Sequence, residues 1–337
     1  MRYSLLPAFI AFFGITVAEE PPAGVIAKPD ALKTLVNPDC SHCKDEAKRR
    51  AADLREDDRV LGWIRGKYNG GAIPLRFYLS PYGVISDTYG VFVYDADAGF
   101  VRGFEPSLDF TFHGWRNGVM LIHHKDGTVY SALSGQGVEG PNKGKRLKII
   151  PTLESNWGFW LKAYPDTVAY KMYPKYQAVD LPTALNDDSV KSRARADTRF
   201  AADTQVLGIR LGSKTRAYPL NALEKSGGIL TDEVDGQKLV VFWFAPTRTA
   251  AAYLAEPPKD DSGKTGSPLG FHFDAGNAIA PFVDEATSSH WDVAGRAVDG
   301  ALKGKTLTWV DSVHVKWFAW SAEYPETDAY ASRLQLR

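Results

Sequence analysis

Short apolar runs set the rhythm of this chain. Val91-Phe92-Val93-Tyr94, Phe110-Thr111-Phe112, Val119-Met120-Leu121-Ile122 and Leu147-Lys148-Ile149-Ile150 are brief and rich in β-branched and aromatic residues, so they read as strands. Leu239-Val240 with Val241-Phe242-Trp243-Phe244 predicts a further central strand. Lys125-Asp126-Gly127-Thr128 carries the Asp-Gly pair of a tight hairpin, because glycine accepts the positive φ that such a turn requires. A helical period appears in only three places. Cys43, Ala47, Ala51 and Leu54 share one narrow face of a segment that Asp39 or Ser41 caps and that runs to about Glu56. Trp157, Trp160, Leu161 and Tyr164 precede Pro165, and Trp317, Trp320 and Tyr324 precede Pro325, each set spaced to share a face. The pattern predicts an α+β fold, mainly antiparallel β, with a short N-terminal helix.

The same pattern occurs twice. Gly135, Gly140, Gly144, Lys145, Leu147, Trp157, Trp160, Tyr164, Pro165, Thr167 and Tyr170 match Gly295, Gly300, Gly304, Lys305, Leu307, Trp317, Trp320, Tyr324, Pro325, Thr327 and Tyr330. Upstream, Val60-Leu61-Gly62 with Pro74-Leu75 answers Val206-Leu207-Gly208 with Pro219-Leu220. Two pseudo-symmetric repeats are expected, at 59–173 and 204–337, joined by a connection at 174–203 whose charges face solvent. Each repeat is expected to bury its paired indoles as core anchors beneath a sheet of its own. Packing of the two about a pseudo-twofold axis would place a ligand cleft between them.

The N-terminus adds a compartment. Arg2 precedes an apolar run from Leu5 to Ala18, with small residues at Thr16-Val17-Ala18, then Glu19-Glu20 and Pro21-Pro22. That is the form of a cleaved signal peptide at 1–18, and the run is short for a bilayer span. The expected location is outside the cytoplasm, in the periplasm or cell envelope or secreted, with no integral membrane segment in the mature chain. Residues 19–58 form a linker and the N-terminal helix. Lys plus Arg and Asp plus Glu both number 40 in the 337 residues, so no overall field favours a nucleic-acid partner.

The two cysteines, Cys40 and Cys43, cannot make a disulfide framework, but they form a Cys-x-x-Cys at a predicted helix start. Unpaired N–H groups and the helix dipole favour a thiolate there, which suits disulfide exchange. Two thiolates with His42 also suit Cu(I) better than zinc, which wants four ligands. A plain disulfide pinning the helix start is the competing role. Elsewhere, His113 with Arg116, and His272 with Asp274, fall at corresponding places in the two stretches and, with Arg248, outline a possible pocket. In that alignment His113 matches Phe273 and His272 matches Phe112. Adjacent His123 and His124 point to opposite faces of a strand. Asp284, Glu285, His290, Trp291 and Asp292 crowd together in what reads as a solvated turn. Gly263-Lys264-Thr265 lacks the first glycine of a phosphate loop, since Pro258 stands there.

Both stretches resemble the bacterial domain of unknown function 3179 family. The likeness rests on Val206-Leu207-Gly208 through Ala217-Tyr218-Pro219-Leu220, the turn Thr231-Asp232-Glu233-Val234-Asp235-Gly236, the hydrophobic strand after it, the glycine pair, and Trp317, Trp320, Pro325 and Thr327. The resemblance implies a Cys-Pro-x-Cys motif at the end of the central strand, linked to thiol or metal chemistry. Here those positions hold Ala245-Pro246-Thr247-Arg248 and Asp95-Ala96-Asp97-Ala98, without sulfur. Two readings of function follow: thiol-redox or copper handling through Cys40 and Cys43, or a non-catalytic binding or scaffold module of the cell envelope.

Overall fold

The structure, a computed structural model, describes residues 25–26, 34–37, 54–65, 69–78, 82–169, 187–194, 197–259, 263 and 266–330. Two short strands, β1 (Val25–Ile26) and β2 (Thr34–Val36), precede the first half. There β3 (Arg59–Arg65) and β4 (Asn69–Pro74) form an antiparallel hairpin. A meander follows: β5 (Tyr82–Ser86), β6 (Val91–Asp95) and β7 (Phe100–Phe104). A second antiparallel layer is built from β8 (Phe110–Arg116), β9 (Val119–His124), β10 (Val129–Ser131) and β11 (Gly137–Glu139). The chain returns through β12 (Ile149–Ile150) and β13 (Thr152–Asn156) into helix α1 (Trp157–Ala163) and the short β14 (Val168–Ala169), parallel to β4.

The second half follows the same order after a short helix α2 (Asp187–Lys191). Its hairpin is β15 (Gln205–Leu211) and β16 (Lys214–Pro219), followed by α3 (Leu220–Lys225). The meander is β17 (Ile229–Val234), β18 (Gln237–Phe244) and β19 (Thr249–Leu254). The second layer is β20 (Phe271–Phe273), β21 (Phe282–Asp284), β22 (His290–Trp291) and β23 (Ala297–Asp299). Then come β24 (Trp309–Lys316), helix α4 (Trp317–Glu323) and β25 (Asp328–Ala329), parallel to β16.

One residue explains the main difference between the halves. β24 pairs with β15 along most of its length and with β19 through Trp309 and Val310, which joins seven strands in the order β17-β18-β19-β24-β15-β16-β25. At the matching place in the first half, β12 pairs with β7 and β13 pairs with β3, so the sheet is split between them. Pro151 stands at the split where Asp311 stands in β24, and proline has no N–H to give the ladder. Elsewhere matched positions repeat their hydrogen bonds. Leu147 N–H donates to Gly135 O at 2.9 Å and Leu307 N–H to Gly295 O at 2.8 Å. Gly137 N–H donates to Lys145 O at 2.8 Å and Ala297 N–H to Lys305 O at 2.9 Å.

Two of the four hydrophobic clusters are shared between the halves, while the other two close within residues 35–101 and 207–310. Trp160 lies across Gly62 of its own hairpin and Trp320 across Gly208, where a Cβ would come within 2.4 and 2.3 Å of the indole, so only glycine fits. The far side of each indole belongs to the other half. Val60, Trp157, Trp160 and Tyr164 pack with Phe242, Tyr253, Phe282 and Trp291, while Val206, Val315, Trp317 and Trp320 pack with Tyr82, Phe100, Trp115 and Leu133.

Three local expectations are corrected. Residues 54–58 form a bend and turn rather than the end of a helix, closed by Arg55 N–H donating to Asp58 at 2.8 Å; the rest of that helix lies outside the described residues. The 174–203 connection is docked where it is described: Ser189 donates to buried Asp97, and Arg193 stacks 4.1 Å from the Phe318 ring centroid. The register of β20 on β21 pairs Phe273 with Phe282, as Phe112 pairs with Ile122. His272 therefore corresponds to Thr111, one position away from the alignment read from sequence.

Candidate binding cleft between the halves

Part of what looked like a solvated turn is buried. Asp284, Trp291 and Asp292 are fully buried, whereas Glu285 is exposed. Asp284 organises the turn itself, accepting from Thr287 N–H at 2.6 Å, Ser289 N–H at 3.2 Å and Trp291 Nε1–H at 3.0 Å. Asp292 faces the other half. It accepts from Tyr164 Oη–H at 3.1 Å, Arg296 Nε–H at 3.2 Å, and the N–H groups of Ala294 and Arg296 at 3.0 Å. Burial pushes its carboxyl above the usual carboxylate range, against the opposing pull of Arg296. Arg296 also donates to Ala163 O at 3.3 Å and stacks over the Tyr164 ring, so one Asp-Arg pair ties β22 and the turn after it to α1.

This tie forms one wall of a cleft of about 890 Å³. Gly62, Trp63, Leu153 and Trp160 line it from the first half, and Tyr253, Arg296, Lys303, Thr306 and Trp309 from the second. The loop 300–304 reaches it because Gly300 and Gly304 adopt φ of 84° and 82°, where a side chain would strain the backbone. A second cavity of about 270 Å³ is lined by Gln136, Gly137, Val138, Lys143 and Gly144 together with Ala322 and Glu323 of α4. Those loop positions match Arg296, Ala297, Val298, Lys303 and Gly304, so in each case the glycine-lysine loop of one half faces the other half.

The two strand-end turns marked by the family resemblance have different chemistry. After β18, Ala245–Thr247 make one turn of 3-10 helix and Arg248 takes the left-handed conformation at φ 51°. Arg59 donates to Thr247 O at 2.7 Å while bound to Glu154 at 2.6 Å and Asn156 at 2.9 Å. His314 accepts the Ala250 N–H at 3.0 Å through Nε2, which fixes its neutral form with the proton on Nδ1, and burial pushes it down to about 4. After β6, Asp95 is buried and accepts from the N–H groups of Asp97, Ala98 and Met120. Desolvation outweighs those hydrogen bonds and pushes its carboxyl up to about 7.

The five residues outlined as a pocket do not converge. His113 stacks on His123 at 5.9 Å, Arg116 lines the smaller cavity, His272 is exposed on β20, Asp274 accepts from Gly276 N–H, and Arg248 points its guanidinium toward Trp243. Among the described residues no hydrogen bond, ion pair or ring contact joins the first two to the other three. Cys40, His42 and Cys43 lie outside the described residues. Sequence reasoning missed Arg296, Lys303 and Trp309; the recurring Gly140-x-x-Lys143-Gly144 and Gly300-x-x-Lys303-Gly304 loops were the available signal.

A family model described as a protein of unknown function, DUF3179, matches residues 88–327. The chain belongs to the DUF3179 family. The match runs as one span across both halves, and covers both strand-end turns, the Asp292 network and the 300–304 loop of the cleft. No curated protein and no solved structure matches this DUF3179 chain. Among the described residues, no helix is long and apolar enough to cross a membrane.

Proposed function

We propose that this DUF3179 protein is a non-catalytic binding module of the cell envelope that holds a small ligand in the cleft between its halves. The observation that carries the reading is the cleft itself. Its volume is that of a pocket for one drug-sized ligand, its walls are four aromatic residues from both halves, and a few polar groups converge on it. The apolar run before Ala18 supports export of the chain. The matched glycines and indoles support descent of the two halves from one duplicated segment. The test is thermal denaturation of the mature protein against sugars, nucleotides, amino acids, fatty acids and aromatic acids, beside Val298→Trp, which fills the cleft from a half-buried strand position. A ligand that stabilises the parent and not the variant is the expected result. No shift with any class sinks the reading.

A second reading rests on Cys40-Ser41-His42-Cys43, which supports thiol exchange or Cu(I) binding. Thiol titration and elemental analysis of the mature protein beside a Cys40→Ser, Cys43→Ser double variant test it. Thiols inert at neutral pH and no bound copper would leave a structural disulfide.

A further inference from the structure

The charge around the cleft narrows its occupant, granted the binding reading above. Among the described residues that line it, every charged group is a cation: Arg296 and Lys303, with no carboxylate. The Asp292 carboxylate sits behind Arg296 and is already occupied by it and by Tyr164. Lys303 is exposed and has no ion-pair partner among the described residues. Trp309 also lines the cleft, and its Nε1–H is buried without a hydrogen-bond partner among the described residues. A buried indole donor without an acceptor destabilises the fold, and a ligand acceptor would relieve it. The remaining walls are apolar: Trp63, Leu153, Trp160 and Leu307 offer ring and methyl surface.

We infer that the ligand is a free amphiphilic anion, an apolar body carrying one carboxylate or phosphate head. The body lies against Trp63, Trp160 and Trp309 in the depth of the cleft. The head meets the Lys303 ammonium and the Trp309 Nε1–H, with the Arg296 guanidinium held alongside by Asp292. The second cavity tests the logic from within the same molecule. It has the matched lysine and a second cation in Arg116, but Glu323 adds a carboxylate, Gln136 stands in place of Arg296, and its volume of about 270 Å³ is under a third as large. It is unsuited to the same ligand.

The experiment uses four ten-carbon probes below their micelle concentrations: decanoate, decyl phosphate, decanol and decyltrimethylammonium. Affinity is read from tryptophan fluorescence and calorimetry on the mature protein. Decanoate and decyl phosphate are expected to bind at least tenfold more tightly than decanol, and decyltrimethylammonium not at all. Lys303→Gln should weaken decanoate about threefold and leave decanol unchanged, because an exposed charge contact is worth little more. Trp309→Phe keeps the ring and removes the donor, so decanoate should weaken roughly fivefold. Val298→Trp should abolish decanoate binding. Decanol binding as tightly as decanoate, or decanoate affinity unchanged in Val298→Trp, would overturn the assignment. Failure of all four probes would do the same, while a sugar or nucleotide shift in the broader panel would leave the binding reading standing.

Discussion

His314 and Asp95 should hold opposite slopes in the pH dependence of stability, and replacing one should uncover the other. His314, on β24, is buried against the start of β19, accepts the Ala250 N–H, and faces Glu154 together with the cations Arg59 and Arg248; its folded value is about 4 against 6.5 in the unfolded chain. Between those values the unfolded chain binds the proton and the folded chain does not. Stability from this group is complete above pH 6.5 and is lost as pH falls toward 4, by about 3 kcal/mol at ~1.4 kcal/mol per pH unit. Asp95 runs the other way. Its folded value is about 7 against 3.8, so the folded chain holds the proton longer, and stability falls by roughly 4 kcal/mol as pH rises through that window. From pH 4 to 6.5 the two contributions nearly cancel.

The perturbation is His314→Gln, whose amide oxygen can still accept the Ala250 N–H. Urea unfolding at pH 4, 5, 6, 7 and 8 gives the free energy of parent and variant at each pH. The difference between them should widen by about 3 kcal/mol from pH 4 to pH 7, with the variant less stable at the higher pH. Asp95→Asn should tilt the curve the opposite way, whatever constant penalty its amide incurs at Met120 N–H, because that penalty does not titrate. A parent-to-variant difference constant within about 0.5 kcal/mol across this range would refute the assignment of a buried neutral His314.

Gly208→Ala should destabilise by about 3 kcal/mol in urea, since its Cβ would lie 2.3 Å from the Trp320 ring, and Gly62→Ala at Trp160 should match it. Tyr164→Phe removes a buried donor to Asp292 and should cost about 1–3 kcal/mol in the same assay. Arg102, 1% exposed, pairs with Asp311 of the other half at 2.7 Å and donates to Leu133 O at 2.8 Å; Arg102→Ala should cost about 1–3 kcal/mol, because Leu133 O loses its donor while Asp311 keeps Arg210 at 3.1 Å.

The strands were legible because their apolar runs are short and bounded: 91–94, 110–112, 119–122 and 239–244 all fall within observed strands. The two tryptophan helices were legible for the complementary reason, a shared face ending before proline. What the sequence could not convey was which surface each face meets. Trp160 has the same spacing whether it packs on its own meander or on the other half's, and only long-range contact separates those cases. Asp284 and Asp292 looked solvated because carboxylates usually are; their burial depends on local contacts with Trp291 and Arg296 and, for Asp292, on Tyr164 arriving from the other half. The cleft was hidden for the same reason, since its walls come from both halves.

Divergence between matched positions accounts for why one cleft is large and furnished and the other is not. Tyr164 and Tyr324 occupy corresponding places after their helices, but Asp292 matches Ala132 and Arg296 matches Gln136. The Tyr164 hydroxyl therefore has a carboxylate to bind, whereas the Tyr324 hydroxyl is buried without a hydrogen-bond partner among the described residues. Trp309, whose indole lines the larger cleft, matches Ile149. A buried hydroxyl left unpaired costs stability, and so does the burial of Asp292 beside a solvent-filled cleft. The half that bears the second cost also gains the Arg296 guanidinium, held at the cleft wall by Asp292, where the smaller cavity has Gln136 and takes its guanidinium from Arg116. Both arrangements carry a cost to fold stability, and they differ in the side chains that each presents to its cavity.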